Sequence, residues 1–231
     1  GGVQAMRMIV AFNKTEQVRH VGHLDMQRAM QRALRRSDLP IRYSNGFNPH
    51  ALMSFAMPLP VGVGGDEELF EVGVEPGTTE EMFLHALPDA LPASMPLVGV
   101  RLVEDDHPKL MAAVRTASYA ARMETCEASK KMEAAIAPLL ARTEIQAIRK
   151  TKSGEKPCDI RPMIHELRAE EKDGETVFTL RTDAMEQGAL KPDLLLRTLA
   201  EQAGVELPAY RLRRLKLWGE KDGLPVGLME L

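Results

Sequence analysis

Short apolar runs alternate with amphipathic stretches in one order along this chain, and that order occurs twice. Arg7 to Phe12 reads as a strand. Met26, Ala29, Met30, Ala33 and Leu34 then recur at helical spacing, with Arg28, Arg32, Arg35 and Arg36 on another face, until Pro40 stops the helix. Ala51 to Met57 and Leu69 to Val74 read as strands on either side of the break at Pro58-Leu59-Pro60-Val61-Gly62. Thr78 or Thr79 caps a helix running to about Leu87, before Pro88, and Leu97 to Val103 supplies another strand. Strand, helix, strand, strand, helix, strand is the split unit of a ferredoxin-like sandwich, in which two helices cover one face of four antiparallel strands. The second half repeats it through Ala117 to Met123, a stripe of Met132, Ala135, Ile136, Leu139 and Leu140, and strands at Ile160 to Arg168 and Thr176 to Arg181. A helix then opens at Lys191-Pro192-Asp193, and Tyr210 to Trp218 is the last strand. This copy has one extra strand or a long hairpin, beginning at Ile145 to Lys150. The expected class is therefore α+β, as two tandem ferredoxin-like α/β sandwiches with antiparallel sheets, over residues 3–108 and 109–231 and with the boundary between Glu104 and Val114. No residue-level repeat accompanies the architectural one.

With 231 residues, 44% hydrophobic and 27% charged, the chain is expected to be a soluble globular protein. Cys126 and Cys158 are the only cysteines, too far apart for a disulfide framework, a zinc ribbon or a cysteine-ligated cluster, so a reducing cytoplasm is expected. No apolar run is long enough to span a membrane, and no cleavable leader pattern is expected at the amino terminus. Formal net charge is only -3, but residues 14–48 carry seven Lys or Arg against three acids. A weak global charge thus conceals a basic face.

That basic stretch is where function concentrates. It runs from His20-Val21-Gly22-His23-Leu24-Asp25 through the arginine helix to Tyr43-Ser44-Asn45-Gly46-Phe47-Asn48-Pro49-His50. Guanidinium groups of Arg28 and Arg32 suit successive phosphates, and a solvated helix face is the plain alternative. The loop of Tyr43, Ser44, Asn45, Gly46, Asn48 and His50 offers hydroxyl, amide and imidazole groups, with Gly46 suited to a positive backbone angle, and is expected to return to the helix start carrying His23. His20, His23, Asp25 and His50 invite a metal test, but they meet no zinc motif, and Asp25 serves equally as a helix-start acid or a partner for Arg28; no metal is assigned. His23 is the candidate acid-base group. Arg149, Lys150 and Lys152 form a second basic region, a hairpin tip suited to a phosphate backbone or simply a solvated loop.

These residues carry a resemblance. Gly22-His23-Leu24-Asp25, Arg28-Ala29, Arg32-Ala33-Leu34-Arg35-Arg36, the stretch from Tyr43 to His50, Ser54-Phe55 and Pro58 to Gly62 resemble the radical SAM-linked family, whose members are fused to or encoded beside a radical SAM enzyme. Asp159-Ile160-Arg161-Pro162 is similar to a second signature of that family, which brings Arg161 into the anion-binding set. The resemblance implies a radical SAM enzyme as partner, and the arginine stripe makes RNA a candidate for a further one. S-adenosylmethionine and an iron-sulfur cluster are then expected only in that partner, because this chain has no Cys-x3-Cys-x2-Cys arrangement and is expected to hold no cofactor itself. The expected function is that of a binding or accessory protein holding an RNA or other anionic substrate for the partner. Two alternatives stay open: a metal-independent endoribonuclease using His23, similar in fold to those that process CRISPR repeat RNA, and a protein-protein adaptor.

Overall fold

A computed structural model describes residues 5–231, so the expected domain start at residue 3 lies outside the described residues. The fold is mixed α+β, with antiparallel strand pairing and, among the described residues, five α-helices. It divides into two compact units. The first comprises residues up to Val114 together with Lys216–Leu231, and the second comprises Arg115–Leu215. The division therefore falls six residues beyond the contiguous 108/109 cut expected from sequence, and the last sixteen residues belong with the first unit.

The first unit contains β1 (Met6–Lys14), α1 (His23–Arg36), β2 (Met53–Phe55), β3 (Gly64–Val74), α2 (Glu80–Ala90), β4 (Leu97–Glu104) and the short α3 (Leu110–Ala113). The central strand β1 pairs antiparallel with β3 through Met8↔Val72 and Val10↔Phe70, and with β4 through Met8↔Leu102. On the far side of β3, β2 pairs through Met53↔Val72 and Phe55↔Phe70. Met8, Val10, Phe12, Phe70, Val72 and Val74 face the buried stripes of α1 (Met26, Met30, Ala33, Leu34) and α2 (Phe83, Leu87) and form the core. The strand expected over Ala51 to Met57 contracts to three residues, and α2 runs past Pro88 to Ala90, with Leu91 N still donating to Leu87 O at 2.9 Å.

The opposite face of this sheet is also buried, which a two-layer sandwich would leave to solvent. Ile9, Ala11 and Leu69 are fully or almost fully buried there, together with Leu110 and Leu228 from outside the sheet. Arg7 on β1 and Glu71 on β3 form an ion pair of 2.5 Å on this face, each side chain 7% exposed. The Arg7 guanidinium also donates to the carbonyl of His107, and the Glu71 carboxylate accepts from Leu110 N at 3.3 Å. Arg101 Nη1 donates to the carbonyls of Met229 (2.9 Å) and Leu231 (2.6 Å), fastening the last residues to β4. Charge on this face is thus held by neighbouring chain, and Glu71 anchors the first residue of α3, within the stretch from Glu104 to Val114 expected as the boundary.

His107 lies among these cations. Burial, followed by the positive charges of Arg101 and Arg7, holds its imidazole below the ordinary value of 6.5. The folded protein therefore takes up this proton at lower pH than the unfolded chain, so the contribution to stability is complete above the ordinary value and is lost on acidification. Urea unfolding between about pH 7 and about pH 5 is expected to show a falling midpoint whose slope is shallower in His107→Gln; identical slopes would contradict it.

The second unit contains β5 (Thr116–Glu124), α4 (Glu127–Leu140), β6 (Gln146–Thr151), β7 (Gly154–Asp159), β8 (Ile164–Lys172), β9 (Glu175–Asp183), α5 (Pro192–Ala203) and the first half of β10 (Arg211–Lys221). Its sheet order is β10-β5-β9-β8, and β6 with β7 forms a separate two-stranded hairpin between α4 and β8. This hairpin accounts for the extra element expected in the second half. The strand expected from Ile160 begins instead at Ile164, because Arg161-Pro162-Met163 forms a 3-10 turn. The second half of β10, from Lys216, belongs to the first unit, where Trp218 to Lys221 pairs with β11 (Leu224–Gly227).

Candidate functional site

Helix α1 starts at His23, directly after Gly22, which is extended and contributes only backbone to the cap: Met26 N donates to Gly22 O at 3.0 Å. Asp25 stands in the first turn, favoured by the helix dipole, and its carboxylate lies 3.6 Å from Arg28. Both side chains are about two-thirds exposed, so the pair contributes little to stability. Arg28, Arg32 and Arg35 follow at spacings of four and three residues and therefore share one stripe, with neighbours about 5–6 Å apart between Cβ atoms. Arg32 is exposed and, among the described residues, makes no ion pair or hydrogen bond. Arg36 leaves the stripe and donates to Ala90 O at 2.6 Å, tying α1 to the end of α2.

The loop after α1 closes on itself. Ser44 N donates to His50 O at 2.9 Å, His50 N donates to Ser44 Oγ at 3.1 Å, and the same hydroxyl lies 3.0 Å from His50 Nδ1. An antiparallel bridge between Tyr43 and Ala51 completes the neck. Asn45, Gly46, Phe47 and Asn48 are thereby displayed at an exposed tip, where Gly46 has φ +119° and open space around it. Arg35 Nη2 donates to Pro49 O at 3.1 Å, so the loop adjoins the last turns of α1. Between them lies an open hollow of about 650 Å³ lined by Arg35, Asp38, Leu39, Tyr43, Phe47, Asn48 and Pro49.

This arrangement separates groups that the sequence reading brought together. His23 is half-buried at the other end of α1, its ring edge-on to Phe55 at 5.1 Å, in contact with a cluster that includes Phe12 and Phe70. From residue 23 to residue 35 a helix rises about 18 Å, so His23 and the His50 loop lie at opposite ends of the arginine stripe. His20 is exposed in the turn before α1 and is not on the same helix as His23. Among the described residues no three His, Cys, Asp or Glu side chains gather in a way that would hold a metal.

In the second unit, Arg149, Lys150 and Lys152 sit on the β6–β7 hairpin beside a cleft of about 990 Å³, across from Lys191, Asp193 and Arg197 at the start of α5. Arg149 is directly opposite Lys156, a cross-strand pair of like charge, whereas Lys150 is opposite Glu155. Asp193 is engaged already: Arg197 Nε donates to it at 2.7 Å and Tyr210 Oη at 2.9 Å, and burial with that carboxylate pushes the Tyr210 phenol upward. Arg161 has a different part. Its guanidinium donates to Leu140 O (3.1 Å) and Ile164 O (3.3 Å), while Asp159 Oδ1 accepts from Ile145 N (2.8 Å) and Arg161 N (3.0 Å). The Asp159-Ile160-Arg161-Pro162 signature is thus a knot closing the base of the hairpin, and Arg161 serves there as a structural clamp rather than a displayed anion ligand.

Residues 7–192 match the model of a family described as "Uncharacterized protein conserved in bacteria (DUF2344)". The chain belongs to this DUF2344 family. The match takes in the arginine stripe, the Tyr43–His50 loop and the β6–β7 hairpin of the DUF2344 protein, and stops at the first residue of α5. No curated protein matches it. Among solved structures the DUF2344 protein is similar to a chain of the "Crystal Structure of a Cbf5-Nop10-Gar1 Complex", at 12% identity and a TM-score of 0.47, covering 91% of this chain and 48% of that one. It thus spans about half the length of that relative. It is also similar to an "Unknown Protein from Galdieria sulphuraria", at 14% identity and a TM-score of 0.27, covering 91% and 99% of the two chains. Neither score bears on fold or activity.

Sequence reasoning quoted Phe47 but gave it no role. Its signal was available: a phenylalanine between Gly46 and Asn48, in a loop otherwise of polar and turn residues apart from Tyr43.

Proposed function

We propose that this protein holds an RNA or another anionic substrate for a partner radical SAM enzyme. The observation that carries the binding half is the exposed stripe of Arg28, Arg32 and Arg35, which leads into an open loop of amide, hydroxyl and aromatic groups. Guanidinium groups in a row bind successive phosphates with charge-assisted hydrogen bonds and release condensed counterions. The hairpin supports it from the second unit, since the like-charged pair of Arg149 and Lys156 is relieved by an anion between them. The partner half rests on the sequence resemblance. S-adenosylmethionine and the cluster belong to that enzyme in this reading, and this chain contributes substrate binding alone. The cytoplasm is the compartment that suits two free thiols, and no helix among the described residues is long and apolar enough to cross a membrane.

The strand orders support a ferredoxin-like reading of each unit. In the first, β4-β1-β3 continues to β2, and in the second, β10-β5-β9-β8 repeats that pattern with the hairpin inserted after α4.

Fluorescence anisotropy with a labelled RNA that includes single-stranded segments tests the binding half. Arg28→Glu combined with Arg32→Glu is expected to weaken binding at least about tenfold and to lower the salt slope by about two, because two phosphate contacts are lost. Both positions are exposed, so the unfolding free energy is expected to stay within about 0.5 kcal/mol of the parent. Unchanged affinity with an unchanged slope would refute the ridge as the binding surface. Affinity capture from the native cell, with bound RNA and proteins identified in one sample, tests the partner half; recovery without any radical SAM enzyme counts against it.

A further inference from the structure

Phe47 is unlike the other five phenylalanines, all of which are buried; its side chain is fully exposed, at 105% of its reference area. It stands at the tip of a loop whose neck is fixed by three contacts between Ser44 and His50, so the ring is held out by an ordered support. The hollow beneath it joins this ring to a second, Tyr43, and to Asn48 and the guanidinium of Arg35. Asp38 lines the same hollow, with no ion pair or hydrogen bond among the described residues.

We propose that this hollow takes one unstacked base of a single-stranded RNA, stacked on Phe47, while the adjoining phosphates follow Arg35, Arg32 and Arg28 along α1. This rests on the reading of the arginine stripe as a polyanion surface. Sequence-tolerant binding of single strands combines a cationic track with an aromatic face on which a base stacks, and both are present here within one helix and its following loop. Asp38 settles which part of the nucleotide enters. Its carboxylate repels a phosphate but accepts hydrogen bonds from the N–H groups on a base edge, as do the amide oxygens of Asn45 and Asn48 at the tip. An apolar side chain from a protein partner is disfavoured in the same place, since it would cover Arg35, Asp38 and Asn48 without satisfying them. Base-paired RNA is disfavoured as well, because its bases are stacked on each other and expose no face to the ring.

Three labelled probes separate the possibilities: an unstructured pyrimidine oligoribonucleotide, a blunt hairpin RNA of equal length, and heparin, which carries charge without bases. The parent protein is expected to prefer the unstructured strand over the hairpin. Phe47→Ala is expected to weaken the unstructured strand about tenfold, with heparin affinity unchanged and Phe47→Trp retaining binding. Unfolding curves for both variants are expected to overlay the parent, since the ring has no packing to lose. Equal losses for strand and heparin, or no loss for either, overturn the base pocket. If Phe47→Ala is silent while Arg28→Glu with Arg32→Glu abolishes binding, the pocket falls and the ridge stands. If the parent binds none of the three probes, both fall.

Discussion

Arg7→Ala lowers the stability of the first unit by about 3–5 kcal/mol, measured by urea unfolding, because it strands the Glu71 carboxylate in a site shielded from water. The cost does not mean that the pair itself stabilises the fold by that amount. Arg7 Nε is buried with no hydrogen-bond partner among the described residues, so the guanidinium is incompletely satisfied even in the native protein. Arg7→Met combined with Glu71→Leu is therefore expected to recover much of the loss, short of the parent by about 1–3 kcal/mol because Leu110 N and the carbonyl of His107 lose their partners. A double variant no better than Arg7→Ala would show that the charges themselves hold this face together.

Lys14→Met is the second substitution with a large expected effect. Lys14 is completely buried at the end of β1, and its ammonium donates to Arg19 O at 3.0 Å and Val21 O at 2.9 Å. Those carbonyls belong to the turn that delivers the chain into α1, so this cation, together with Gly62 N donating to Arg19 O at 2.8 Å, holds the place where the helix begins. Methionine fills comparable volume but offers no donor; Arg19 O keeps its bond from Gly62 N at 2.8 Å, but the Val21 carbonyl is left unpaired in the interior, which costs about 1–3 kcal/mol. Limited proteolysis between Arg19 and Gly22 is expected to accelerate with the loss of stability. Parent-like stability and cleavage would show that the turn is held by other contacts.

Both effects concern charges inside the protein, and neither was legible in the sequence. Periodicity identified the core face of β1 and of α1 because apolar spacing is a local property. The uninterrupted run Met8-Ile9-Val10-Ala11-Phe12 also carried the sign of a strand buried on both faces, and reading it as half of a two-layer sandwich missed what it implied. What covers the second face comes from residues about 100 and 220 positions along, and no local pattern encodes such a pairing. The site shows the same division. The arginine stripe was readable from spacing, but whether the Tyr43–His50 loop meets the first or the last turn of α1 depends on the path from Ser37 to Arg42. There Asp38 adopts φ 55° and Arg42 N donates to Gly73 O at 2.9 Å, and this sends the loop to Arg35 rather than to His23. Arg161 misled for a related reason: an arginine in a motif looks like a ligand for an anion until the two carbonyls that hold it are seen.

The membership of Lys216–Leu231 in the first unit has a consequence for biogenesis. Leu217 and Leu228 are fully buried, and Arg101 waits for carbonyls at positions 229 and 231, so the earlier-made of the two units lacks these pieces until translation has passed through the whole of the second. While the ribosome is still working, a face that carries Ile9, Ala11 and Leu69 stands open, and it closes only when Lys216–Leu231 has followed the intervening unit out.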